Sequence, residues 1–350
     1  MKVLALILIC FFCFNEADAQ LTHRLISSDT LKTFDIAYDF EGERMAAITH
    51  NQVLIWNTES YELVINKETP SKQLTSVVFH PTRNLLFFAD FAGNVYQLDL
   101  EIELTPDVEE DEKEKQEKEK PQVVYKQDES IRRILFDRSG EALYIGDAGG
   151  GLQKINIYNW EVDQTVEANE GEISDMALDH QSEIIFTTGE DGTVKSYSTD
   201  SLKLLNSIKV SGNWVRRISL DRFKKLLAAA GDSGKLNIYS YQDGKMEKIV
   251  TIPQGHHNWV MGLDFHPIGI YLASAGHDNK LVIRRVPSDQ RSLEVLEGLD
   301  FPEFKAPIHN FVGDFYPIDL TFQPTTSSFA IATLGRGIHL FTYEVVSTGP

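Results

Sequence analysis

Residues Gln254 to Arg285, QGHHNWVMGLDFHPIGIYLASAGHDNKLVIRR, constrain the fold more than any other stretch of this 350-residue chain. They read Gly-His, an alternating apolar segment from Trp259 to Phe265, a His266-Pro267 turn, a small-residue segment Leu272-Ala273-Ser274, a turn at His277-Asp278, and a third alternating segment. Alternation of period two, interrupted by turn residues, predicts three short antiparallel strands in succession.

Laid along the chain, the same apolar pattern recurs seven times. The first strands fall near Phe34 to Phe40, Leu74 to His80, Ile131 to Asp137, Ile173 to Asp179, Val215 to Asp221, Val260 to His266 and Pro317 to Gln323. Most starts are about 40 to 45 residues apart, the period of a four-stranded propeller blade. Length alone suggests two domains, but the repeat overrides that prior. The second strands are small and apolar, as in Met45 to Ile48, Leu226 to Ala229 and Phe329 to Ala332. Small residues let neighbouring sheets approach where strands are buried on both faces. Third strands alternate, as in Val53 to Trp56 and Leu236 to Tyr239, and Asp191-Gly192, Ser233-Gly234 and Gly149-Gly150 mark the turns before them.

This pattern resembles the WD-repeat family of β-propellers. Gln254 to Arg285 carries Gly255-His256, Ser274 and Asp278, which the resemblance implies form a buried hydrogen-bond relay, although Arg284 stands where the family usually has Trp. Trp56 followed by Asn57 comes nearest to the Trp-Asp signature, and Tyr197, Tyr239 and Phe341 hold that place in other copies. The resemblance implies an all-β chain, a seven-bladed β-propeller of four-stranded antiparallel blades. It also implies closure by the chain ends, with His23 to Ser28 completing the last blade beside Ile338 to Tyr343. Such closure removes open sheet edges.

The N-terminus reads as a secretory signal peptide over residues 1–19. Lys2 precedes an apolar run from Val3 to Phe14, and Ala17-Asp18-Ala19 ends in an Ala-x-Ala site with cleavage expected after Ala19. The run is shorter than the roughly 20 residues that span a bilayer. Cys10 and Cys13, the only cysteines, lie inside the removable segment, so the mature chain is expected to have neither disulfide nor cysteine metal site. Lipid attachment at one of them is the alternative, against which Ile9 and Phe12 stand where that processing wants a small residue. A net charge of -19 disfavours a nucleic-acid backbone or an anionic lipid surface as partner. A secreted or periplasmic protein without a membrane span is therefore expected.

Two insertions interrupt the period. Glu101 to Lys120, with ten acids and four lysines, is too poor in apolar residues to fold alone. It reads as a solvated loop on the rim away from the usual binding face, or as a docking site for a basic partner or divalent cations. Glu297 to Tyr316 holds Phe301, Phe304, Phe311, Phe315 and Tyr316, too many aromatics to leave bare in water. They must cover something or bind something.

In the family this chain resembles, the loops entering each first strand open on the top face, where peptides and proteins bind. Residues at that position include Trp214, Trp259 and Tyr316 in blades five, six and seven, which with the second insertion predict an apolar arc over three adjacent blades. Aromatic clusters with polar rims are common interface anchors. The alternative is that the insertion simply caps Trp214 and Trp259. Three residues further on come Asp35, Arg133, Asp175, Arg217 and Asp319, expected as interblade ion pairs, with Arg133 and Arg217 also able to hold an acidic ligand end.

Catalysis has little support in the sequence. His256 is explained by the relay, His257 and His309 by solvent exposure or loop packing, and Gly149-Gly150-Gly151 by a hairpin turn rather than a phosphate loop. The reading is a non-enzymatic protein- or peptide-binding scaffold without cofactor, metal or catalytic residues. It contacts its partner through Trp214, Trp259, Phe301, Phe304, Phe311, Phe315 and Tyr316, with Arg133 and Arg217 as polar partners. The alternative is a propeller hydrolase or lyase acting on an extracellular polymer, which would require a carboxylate pair facing the channel at about 5 to 9 Å.

Overall fold

A computed structural model describes residues 19–28, 30–101, 120–287, 309–312 and 316–345. These residues form seven four-stranded antiparallel sheets, whose strands are numbered β1 to β28 in chain order. The innermost strands are β2 (Asp35–Tyr38), β6 (Leu74–Phe79), β10 (Ile131–Phe136), β14 (Ile173–Asp179), β18 (Val215–Asp221), β22 (Val260–Phe265) and β26 (Pro317–Phe322). Each lies against the next, and β26 lies against β2, so the sheets close into a ring of seven blades.

Burial explains the ring. The apolar side chains fall into seven clusters, each shared by two neighbouring blades. Ile48, Val53 and Ile55 of blade one, for example, pack on Leu74, Phe79 and Phe88 of blade two. The second strands are buried on both faces, and alanines such as Ala228, Ala229, Ala273 and Ala275 line them. Small side chains are what allow two sheets to meet there without a gap.

The last blade is completed by β1 (Ala19–Leu25), which runs antiparallel to β28 (Ile338–Val345). The closing strand starts and ends a few residues earlier than expected, at Ala19 rather than His23. The residues after it are used differently: Ser27 Oγ accepts the Ile338 N–H at 2.8 Å, and Thr33 and Thr333 exchange hydrogen bonds across the seam between blades seven and one.

A second difference concerns Glu297 to Tyr316. Part of this stretch is a strand, β25 (His309–Val312), which pairs with β24 (Lys280–Arg285) as the outer strand of blade six. Its register sets Val312 opposite Lys280, beside the turn at the top rim, and His309 opposite Ile283. Arg285 and His309, the last residue of β24 and the first of β25, therefore both lie at the far end of the blade. Phe301, Phe304 and Phe315 lie outside the described residues, as do the side chain of Phe311, residues 1–18 and most of the acidic insertion.

Ile26 donates to the Ile338 carbonyl at 3.1 Å, and the alternation of an antiparallel ladder then aims the Thr22 N–H at Thr342. Thr22→Pro removes that donor and should lower stability by about 3 kcal/mol, whereas Thr22→Val should be close to neutral. Urea unfolding of the two variants checks this.

Candidate functional site

In six blades the pairing of the first and second strands slips by one residue just inside the top rim. The slip falls between Ile131 and Arg133 in blade three and between Val215 and Arg217 in blade five, with equivalents in blades two, four, six and seven. Such a bulge leaves one residue unpaired and re-aims its neighbours. Consecutive arginines are thereby divided between two places: Arg132 and Arg216 lie at the rim, Arg133 and Arg217 in the channel.

At the rim, the Arg216 guanidinium lies between two indoles, 4.4 Å from the Trp214 ring centre and 4.6 Å from that of Trp259. Asp232 holds it there through an ion pair. Trp259 continues to His277 at 5.6 Å between ring centres, and His277 to Tyr316 at 6.4 Å in an edge-on arrangement. Tyr316 accepts the Leu334 N–H on its carbonyl at 3.1 Å. The arc thus runs unbroken over blades five, six and seven, and Trp259, Tyr316 and Leu334 are 42%, 47% and 44% exposed. Cation–π contacts from Arg216 to both indoles tie the two Trp rings to one another. Sequence reasoning brought the three aromatics together but missed Arg216 and His277. The available signal was an Arg two residues after a Trp, which acquires meaning only through the bulge.

Arg133 and Arg217 are not beside the arc but below it, lining a channel cavity of about 290 Å³. Arg133 crosses the channel to Asp35 of blade one, to Asp175 at 3.2 Å and to Asp319 at 3.7 Å. Arg217 meets Asp319 at 3.3 Å and donates to the carbonyls of Met261 and Ile318 at 2.8 and 2.7 Å. Blades one, four and seven are not all neighbours, yet their carboxylates converge because one long guanidinium reaches them all. The remaining carboxylate oxygens clasp the next blade: Asp35 accepts the Val77 N–H at 2.8 Å and Asp175 the Ile218 N–H at 3.0 Å.

Burial dominates the titration of this cluster. It pushes Asp319 well above the usual carboxylate range, against the pull of Arg217 and Arg133 and with the help of the Asp35 charge. It acts on Asp35 in the same direction, but Arg133 and hydrogen bonds from Asp319 and Val77 bring Asp35 below its ordinary value. Asp264, also at the channel wall, accepts from Ser219 Oγ at 2.7 Å and from the Phe322 N–H at 3.0 Å. Burial nevertheless lifts it to about 6. The carboxylates that a glycosidase-type site would need are thus engaged with guanidinium groups or with backbone N–H donors of the next blade.

The relay of blade six has the expected connections. His256 Nδ1 lies 2.8 Å from Asp278 and Nε2 2.9 Å from Ser274 Oγ, and Arg284 Nη1 approaches the same hydroxyl at 3.4 Å. Gly276 belongs to this arrangement, since a Cβ there would come within 2.5 Å of His256 Nδ1. Blade four holds a second relay that the sequence analysis did not assign. Asn169 takes the place of the histidine, receiving the Thr187 hydroxyl at 2.7 Å and donating to Asp191 at 3.0 Å. Residues 160–198 and 247–284, which contain these two relays, match the family model described as WD domain, G-beta repeat. The chain is a seven-bladed β-propeller in which two stretches match the WD repeat. Among curated proteins, none matches it. The sheets that the family model does not match are likewise four-stranded and make the same inner-strand contacts, with β1 supplying the outer strand of blade seven.

In this propeller Asp264 makes a signed prediction. A carboxyl whose folded pKa exceeds its unfolded value contributes stability below about pH 4, and that contribution is lost as pH rises through about 6. Asp264→Asn should therefore unfold near the wild-type urea midpoint at pH 4 and above it at pH 8, by at most about 3 kcal/mol. His256→Ala leaves Ser274 and Asp278 short of partners in a buried site and should cost roughly 2 to 4 kcal/mol at either pH.

Proposed function

We propose that the propeller is a non-enzymatic binding module, exported from the cytoplasm, that holds a protein or peptide partner on the top face of blades five to seven. One observation carries the reading: the continuous run Trp214, Arg216, Trp259, His277 and Tyr316, in which Trp259 and Tyr316 are exposed and ring contacts and an ion pair hold the side chains in place. Rigid aromatic side chains offer a large apolar contact area and lose little entropy on binding. WD-repeat propellers typically bind proteins, and the engaged channel carboxylates favour this reading over a hydrolase or lyase. No helix among the described residues is long and apolar enough to cross a membrane. Export rests on the N-terminal charge, apolar run and Ala-x-Ala site.

The test uses the mature protein immobilised as bait, with extracellular or envelope extract as prey. Trp259→Ala combined with Tyr316→Ala should reduce recovery of the bound partner at least tenfold while leaving the melting temperature within a few degrees of wild type. Equal recovery by the double variant would remove the arc from the binding reading. N-terminal sequencing of the secreted product should begin at Gln20, and a product that begins at Met1 would remove the export.

A further inference from the structure

The top face is chemically divided. Over blades three and four, the connections into the first strands carry exposed Asp128, Glu129 and Glu170, the outer strand of blade three ends at exposed Glu167, and the turn of blade four carries exposed Glu190. The nearby cations are largely committed: Arg132 to Glu172, Lys195 to Asp191 at 3.5 Å, and Lys209 to the Asp191 carbonyl. Lys126 remains exposed at the margin. Around the arc the balance is different. Asp232 is held by Arg216 and Asp278 by His256, while Lys32 and Lys235 stand exposed at its edge.

The two regions adjoin. The connection leading to Trp214 lies on the turn of blade four, where Gly192 accepts the N–H groups of Val210 and Ser211 at 3.0 and 3.1 Å. Glu170, whose N–H is held by Asp191 at 3.0 Å, and Glu190 belong to the same turn region. An extended segment lying across Trp259 and Trp214 and continuing round the ring therefore passes directly from an apolar surface to an anionic one.

We propose that the partner of this face is a peptide segment in which bulky apolar residues adjoin a cluster of Lys or Arg. The apolar part lies on the arc, and the cationic part points toward blades three and four. This rests on the binding reading above and adds the partner's charge and direction to it. Lys32 and Lys235 disfavour a cationic segment running the other way, and the net charge of -19 attracts basic partners at long range.

The probe is a displayed library of random 12-residue peptides selected on the folded mature protein at low salt. Two variants accompany it: Glu167→Lys with Glu170→Lys and Glu190→Lys, and Trp259→Ala with Tyr316→Ala, each first shown to melt near wild type. The expected result is enrichment of sequences joining Lys or Arg to Trp, Phe or Leu. A synthetic copy of one should bind at least tenfold more weakly to either variant, and several-fold more weakly when salt is raised from about 50 to 300 mM, as screening requires. Enrichment of acidic peptides, or a synthetic copy that loses binding in the aromatic variant but not in the charge variant, would overturn the charge inference and leave the binding reading standing. Binding that follows charge alone, or no enrichment at all, would overturn both.

Discussion

A propeller buries apolar surface only where one blade meets the next, so every seam must be closed for the core to exist. Seven clusters occupy seven seams, and the seam between blades seven and one is built like the others, with Ile36, Met45 and Trp56 packed on Ala330, Ile338 and Leu340. Chain continuity holds six of these seams. The seventh has no covalent link between its blades other than β1, which comes from the start of the chain and pairs with the strand at its end. That pairing converts an open stack with two exposed apolar faces into a closed ring of blades. The polar bonds at this seam reinforce it, including Gln323 Nε2 to the Gly42 carbonyl at 2.6 Å.

Closure brings seven inner strands around one axis, and the bulges decide what they present there. In a regular strand successive side chains face opposite sides of the sheet. The slip next to Arg132 and Arg216 instead sends one arginine to the rim and its neighbour to the channel. The two destinations have opposite consequences. In the channel Arg133 ties blades one, four and seven together, and burial with the Asp35 charge pushes the Asp319 carboxyl up against the pull of two guanidinium groups. At the rim Arg216 remains in contact with solvent and serves as a spacer between two indoles, which keeps the aromatic surface open rather than collapsed.

Much of this was legible in the sequence, for identifiable reasons. The period of the apolar pattern located all seven inner strands to within two residues, because one face packed on each neighbour leaves little freedom of register. The aromatics of blades five to seven were legible because they occupy the same position in successive copies. Arg216 was not, since a bulge leaves no trace in a period-two pattern. The strand His309–Val312 was missed because its four residues lie within a stretch whose aromatic content read as a loop. The start of β1 at Ala19 was missed because the expected cleavage site drew the boundary after it, although cleavage there would leave the rest of the strand, from Gln20 onward, intact.

The relays show why the family pattern is faint while the architecture is regular. Blades four and six keep a polar chain linking the incoming loop, the second strand and the turn, and those are the blades that the family model matches. Blades two and three solve the same turn differently. Asp90 and Asp147, at the ends of their second strands, take the turn N–H groups of Ala92 and Asn94, and of Gly149 and Gly151, at 2.8 to 3.0 Å. An aspartate at that position has a bulky side chain where blade six needs Gly276, so the two solutions exclude each other within one blade. Either one orders the turn, and neither changes which faces meet in the seam. The ring therefore tolerates loss of the signature so long as the apolar seams are kept, and the position freed from the relay in the other blades is available to shape the face above it.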